Sequence, residues 1–200
     1  MLIEYRITAP IVVSAVLIVF FPFLADINFP LFDGFLVKAV EAVQALLLFF
    51  FAIFTYFYMK PFQLENGQKQ FWLWAVFWWI LLFGRSTSWG RDYFPDVPRE
   101  YFRVISILVI APVVFMLFSS QLRGEIANKF KTAIFPAWAI TISVLGLVIA
   151  DSVEHGRLIA PIFLHDVQYD DLIEELYEFP LIIGLFLIAF SFMQQDKKKR

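Results

Sequence analysis

Residues 35–59 read FLVKAVEAVQALLLFFFAIFTYFYM. The two charges of this stretch, Lys38 and Glu41, fall in its first two turns, and no Asp, Glu, Lys, Arg or His occurs from Ala42 to Met59. A helix of this length extends about 37 Å at 1.5 Å per residue, more than the ~30 Å of a bilayer's hydrocarbon layer. The run is too long and too continuous for the alternating pattern of a barrel strand. It predicts a transmembrane helix.

Five further stretches have the same character, at roughly 7–25, 71–89, 102–119, 133–152 and 171–193. The breaks between the six carry turn chemistry: Asp26-Ile-Asn-Phe-Pro30, Lys60-Pro61 with Glu65-Asn-Gly67, Pro95-Asp-Val-Pro98, and Arg123-Gly124. Strands are not expected. The composition agrees, because 60% of the 200 residues are hydrophobic and only 17% are charged. A soluble domain has about 45–50% and 25%, and a chain of this size cannot hide the excess in its own core. The expected fold is therefore all-α, a polytopic membrane protein whose residues 1–200 form one bundle of six transmembrane helices. A net charge of −2 without a basic stripe excludes nucleic acid as a partner. The absence of cysteine excludes disulfides and thiolate-bound metals.

Lys and Arg set the orientation. With both termini cytoplasmic, the inner segments hold Arg6, Lys60, Lys69, Arg123, Lys129, Lys131, Lys197, Lys198, Lys199 and Arg200. The outer side holds Arg85, Arg91, Arg99, Arg103 and Arg157. This asymmetry predicts an N-in/C-in topology in a bacterial-type inner (plasma) membrane. Most acids then fall near or beyond the outer boundary, among them Asp92, Asp96, Asp166 and Asp170.

Depth selects the candidate functional residues, because a charge inside hydrocarbon costs at least ~2.5 kcal/mol at a helix centre. Counting about 20 residues from each cytoplasmic boundary brings Glu41, Arg85, Asp151 and Glu178 into one outer layer. Arg85 with Glu41 or Glu178 is the expected neutralising set, since a guanidinium fits carboxylates bidentately. The start of the last span, Asp171-Leu-Ile-Glu-Glu-Leu-Tyr-Glu178, places Glu174 and Glu178 on one helix face. Pro180 follows and is expected to kink the helix. Asp151-Ser-Val-Glu154-His155 closes the fifth span. A divalent metal is compatible with such oxygen ligands and one or two histidines; His155 and His165 are the only two. The third span ends in Gly84-Arg-Ser-Thr-Ser-Trp-Gly-Arg91, a hydrogen-bonding corner able to hold a phosphate or carboxylate with Arg85 and Arg91. Trp72, Trp74, Trp78 and Trp79 read as interfacial and packing residues, and the apolar run 158–164 as a segment lying on or dipping into the outer leaflet.

The corner Ser88-Trp89-Gly90-Arg91 resembles a functionally uncharacterised group of bacterial multipass membrane proteins with a Ser-Trp-Gly-(Gln/Arg) motif at a helix end. That group also has an acidic helix start upstream and a Glu-Glu-x-x-Glu-like start to the last span, matched here by Glu41 and by Glu174, Glu175 and Glu178. The resemblance implies that these residues form one site, and it names no reaction.

Together these features point to a charged pocket at the outer-leaflet interface that binds or modifies a lipid or lipid-linked headgroup. Glu41, Arg85, Ser88, Arg91, Asp151, Glu174 and Glu175 are its expected binding residues. In an enzymatic form, Glu178 or Glu154 serves as general base and His155 assists or binds metal. The alternatives are an ion or small-molecule transporter or channel with an acidic outer vestibule, and a non-catalytic subunit of a membrane complex. Membrane lipids are the expected partners, with oligomerisation or a protein partner left open.

Overall fold

The computed structural model describes residues 2–91 and 93–199. Asp92 and Arg200, both used in the charge reading above, lie outside the described residues. The fold is all-α apart from one short strand pair. Its helices are α1 (Ala9–Phe20), α2 (Phe23–Asp26), α3 (Phe35–Met59), α4 (Asn66–Ser86), α5 (Arg99–Met116), α6 (Ser120–Thr132), α7 (Ala137–Glu154), α8 (Ala160–Phe163) and α9 (Asp170–Lys198). Three of them, α3, α7 and α9 (the first and last extended by short flanking turns), are long and apolar enough to cross a membrane. The pair α5 and α6 would count as a fourth span, bent by 72° at its break. With only 12 residues, α1 is shorter than a span. Helix α4 has 21 residues, but a polar first turn and four tryptophans lower its hydropathy.

The chain forms two compact units, one of Ala42–Ala133 and one of Leu2–Glu41 with Ile134–Arg200. In the first, α4 packs on α5 and α6. Trp72 and Trp79 are buried packing residues, Trp79 lying edge-on to Phe51 at 5.5 Å. Lys129 is also buried, its amine 3.6 Å from Glu125 and over the rings of Phe71 and Trp72 at 5.3 and 5.8 Å. The sequence reading placed a break at Arg123-Gly124, yet both lie inside α6. The break falls instead at Leu117–Ser119, where three consecutive N–H groups bond back only three residues. Ser119 then caps α6, accepting from the Leu122 N–H at 3.5 Å. Tightening of that last turn of α5 pairs the Leu117 N–H with Val114 O at 3.1 Å. The Val113 carbonyl is thereby released, and the Trp74 indole donates to it at 3.0 Å.

The second unit is built on the crossing of α7 and α9. Small residues make it possible. An added Cβ on Gly146 would stand 2.7 Å from Leu181 N and 2.8 Å from Tyr177 O. One on Gly184 would overlap Ser143 Oγ and stand 2.8 Å from Ala139 O. Backbones this close pack by dispersion along their length, as small-residue helix pairs in membranes do. Pro180 is buried at this crossing, and α9 continues through it. Around the crossing, Phe21, Ile149, Val153, Leu172, Ile173 and Tyr177 form the unit's core.

Two strands form where none were expected. β1 (Leu2–Glu4) pairs in parallel with β2 (Ile134–Pro136), Leu2 opposite Ile134. Helix α7 therefore starts at Ala137 instead of 133, because Pro136 holds extended geometry at its N-cap (φ −76°, ψ 99°). The Gln195 side chain completes the pair: its Nε2 donates to Ile134 O and its Oε1 accepts from the Ile134 N–H, both at 2.8 Å. The apolar run 158–164 forms the single turn α8.

Gly146→Ala is expected to lower stability by about 1–3 kcal/mol, the usual cost of overpacking. Gly124→Ala, with open space around its Cβ inside α6, is expected to raise it by up to ~1 kcal/mol. Thermal unfolding in detergent compares the two, and equal loss in both would remove the close crossing as the cause.

Candidate functional site

The candidate residues divide between the units. Arg85, Ser88 and Arg91 belong to the first; Glu41, Asp151, Glu154, His155, Glu174, Glu175 and Glu178 belong to the second.

In the first unit, α4 ends at Ser86 and the chain reverses through a 3-10 turn. Ser88, Trp89 and Gly90 all take left-handed backbone geometry (φ 47°, 59° and 93°). Such geometry is costly for the two non-glycine residues. The turn holds because its hydrogen bonds close on themselves. The Thr87 hydroxyl donates to Phe83 O and Gly84 O at 3.0 and 3.2 Å. The Gly90 N–H donates to Thr87 O at 2.8 Å and the Arg91 N–H to Ser88 O at 3.1 Å. The reversal lays the Trp89 indole over Gly84, where any Cβ would collide with the ring. Trp89 thereby becomes one wall of an open cleft of about 600 Å³, faced by Ala42, Leu46, Ile80, Phe83 and Val109. The lining is almost wholly apolar, with Thr87 and Tyr93 on the same wall as the turn. Arg85 and Arg91 flank the turn as exposed side chains. Glu41 and Glu178, the carboxylates expected to neutralise Arg85, belong to the second unit.

In the second unit, the end of α7 and the start of α9 carry the acids. Arg157 holds Asp151, Nη1 to Oδ2 at 2.6 Å. His155 Nδ1 lies 3.1 Å from the Asp151 carbonyl oxygen, 3.5 Å from Glu154 Oε2 and 3.7 Å from Asp151 Oδ1. Glu174 is half-buried and lies in the combined field of Glu154, Glu178, Asp171 and Asp170. Glu175 and Glu178 are half-buried on the same helix. Among the described residues no group of three or more His, Asp or Glu converges as a metal site would require.

Sequence reasoning missed four features. The first is the cleft itself, whose signal was the spacing of Gly84 and Trp89 around a helix end. The second is the pairing of His165 with Asp26, Nδ1 to the two carboxylate oxygens at 2.9 and 3.0 Å, beside the edge of Phe23. No local pattern announces a contact 139 residues apart. The third is the Arg157 clamp on Asp151. The fourth is the role of Tyr177. It is fully buried, and its hydroxyl donates to Ile18 O at 2.7 Å. Pro22 stands four residues after Ile18 and has no N–H to offer that carbonyl.

The chain matches no protein-family model, no curated protein and no solved structure.

Since Glu174 sits among four like charges, Glu174→Gln is expected to raise the unfolding midpoint, the relief of one like-charge helix pair being about 0.5 kcal/mol. A lower midpoint would show that the fold needs this carboxylate.

Proposed function

We propose that this is a multi-pass protein of a bacterial-type inner membrane that binds a lipid or lipid-linked amphiphile in the Ala42–Ala133 unit. The hydrophobic chain lies in the cleft beneath Trp89, and the anionic headgroup meets Arg85 and Arg91 at its rim. The observation that carries this reading is the cleft: about 600 Å³ and almost wholly apolar, walled by a turn that has an exposed arginine, Arg85 and Arg91, on either side of it in the chain. That volume falls in the range of small-molecule sites, roughly 300–1,000 Å³. Because the turn's N–H groups at Thr87, Gly90 and Arg91 are spent on its own carbonyls, recognition of the anion falls to the side chains. The resemblance around Ser88-Trp89-Gly90-Arg91 belongs to the same proposal.

The proposal also includes six membrane crossings with both termini cytoplasmic. The absence of native cysteine makes this simple to test. Asn66 and Gln168 are both exposed. Single cysteines placed there are expected to react oppositely with an impermeant reagent, Gln168→Cys from outside intact cells. Labelling of Asn66→Cys from outside would invert the topology.

Lipid retained through purification tests the binding reading. Ala42 is exposed and lines the cleft, so Ala42→Trp fills it without disturbing the core. Native mass spectrometry is expected to show loss of most of the bound lipid in Ala42→Trp, and loss of anionic-headgroup preference in Arg85→Gln/Arg91→Gln. Unchanged retention in Ala42→Trp would overturn the proposal.

A further inference from the structure

A second cavity, of about 340 Å³, lies wholly within the other unit, where the first residues of the chain meet the last turns of α9. Its floor is apolar: Ile11 of α1 with Leu187 and Phe190 of α9. Its mouth is not. Glu4, Arg6 and Gln194 are exposed there, and Thr8 lines the wall.

Thr8 is the N-cap of α1 and has the extended geometry of a capping residue (φ −114°, ψ 159°). A capping hydroxyl normally accepts from the second or third N–H of its helix. Here the second residue is Pro10, which has no N–H, and the Ile11 N–H is bonded to Thr8 O at 3.0 Å. The Thr8 hydroxyl oxygen is consequently buried without a hydrogen-bond partner. Such a group is costly unless something else satisfies it. Glu4, the last residue of β1, and Arg6 both line this cavity. They form no ion pair with each other among the described residues. The cavity thus offers one carboxylate, one guanidinium and one unsatisfied hydroxyl above an apolar floor.

We infer that this cavity is a binding site for a zwitterionic phospholipid with a primary ammonium headgroup, of the phosphatidylethanolamine type. The phosphate takes the Arg6 guanidinium, and the Thr8 side chain turns its buried hydroxyl into the cavity to donate to it. The ammonium donates to Glu4. The upper part of an acyl chain covers Ile11, Leu187 and Phe190. A purely anionic headgroup would leave Glu4 facing like charge, and a trimethylated ammonium has no N–H to give it. The charge pattern therefore selects this class. The site shares no residue with the Trp89 cleft, so either one stands if the other fails.

The test uses the full chain in nanodiscs holding equal amounts of phosphatidylethanolamine, phosphatidylcholine and phosphatidylglycerol of one acyl composition. Native mass spectrometry after release from the discs reads the lipid retained. Wild type is expected to keep phosphatidylethanolamine over phosphatidylcholine by about tenfold, the scale of one charge-assisted hydrogen bond. Glu4→Gln is expected to abolish that preference. Arg6→Gln is expected to lower retention of both zwitterionic lipids. Thr8→Val, which keeps the side-chain shape, is expected to weaken retention severalfold without changing the preference. Equal retention of phosphatidylethanolamine and phosphatidylcholine by wild type would overturn the inference. So would a preference for phosphatidylglycerol, or Glu4→Gln and Arg6→Gln variants that behave as wild type.

Discussion

The close approach of α7 to α9 is the constraint on which the second unit depends. At Gly146 the backbone of α9 arrives where a β-carbon would stand, and at Gly184 the backbone of α7 does the same. Ala139 and Ser143 complete the contact, the Ser143 hydroxyl turning back to donate to Ala139 O at 2.9 Å. Its polarity is thereby absorbed within its own helix. Association of helices in lipid gains little from the hydrophobic effect and depends on such close packing. The buried row Leu172, Ile173, Tyr177 and Ile182 follows from this crossing, because it fixes which face of α9 turns inward.

Proline creates the openings that side chains then fill. Pro22 deprives Ile18 O of its donor, and the Tyr177 hydroxyl supplies one. Phe21 and Phe163 pack edge-on against the Tyr177 ring at 5.4 and 5.6 Å. Pro10 leaves the Thr8 hydroxyl unmatched at the other end of α1. Pro136 delays α7, so that three residues pair with the N-terminal strand and the Gln195 amide. Ile18 O and the Ile134 peptide groups obey the rule that a buried backbone group must find a partner, and both partners come from a distant part of the sequence; the Thr8 hydroxyl is left without one.

The first unit shows the same economy around aromatic rings. Trp74 caps a carbonyl released by the bend after α5, and Trp72 lies beneath the Lys129 ammonium. Trp89 is held over Gly84 by a turn of three left-handed residues. Strain of this kind persists when surrounding contacts over-determine it, and it concentrates where a ligand is clamped. The cleft wall is thus set by a local conformation, and its apolar floor by the residues of α3, α4 and α5 that face it.

The sequence by itself determined the helical class, the 35–59 helix to the residue, and the turns at Asp26–Pro30 and Pro95–Pro98. These are legible because apolar run length and proline act locally. It also marked Gly84–Arg91 as a special corner and the α9 start as an acidic face. What it did not determine was partnership. Asp26 with His165 and Tyr177 with Ile18 depend on where the chain returns. The strand pair at Ile134 was likewise decided by a tertiary contact, through Gln195, whereas the helix across Arg123-Gly124 follows from the capped bend at Ser119. Glycine and proline announce that a backbone approach or a missing donor will occur, since both are properties of the residue. Which group then arrives is fixed only by three-dimensional packing, because the energy of a contact carries no record of its separation along the chain.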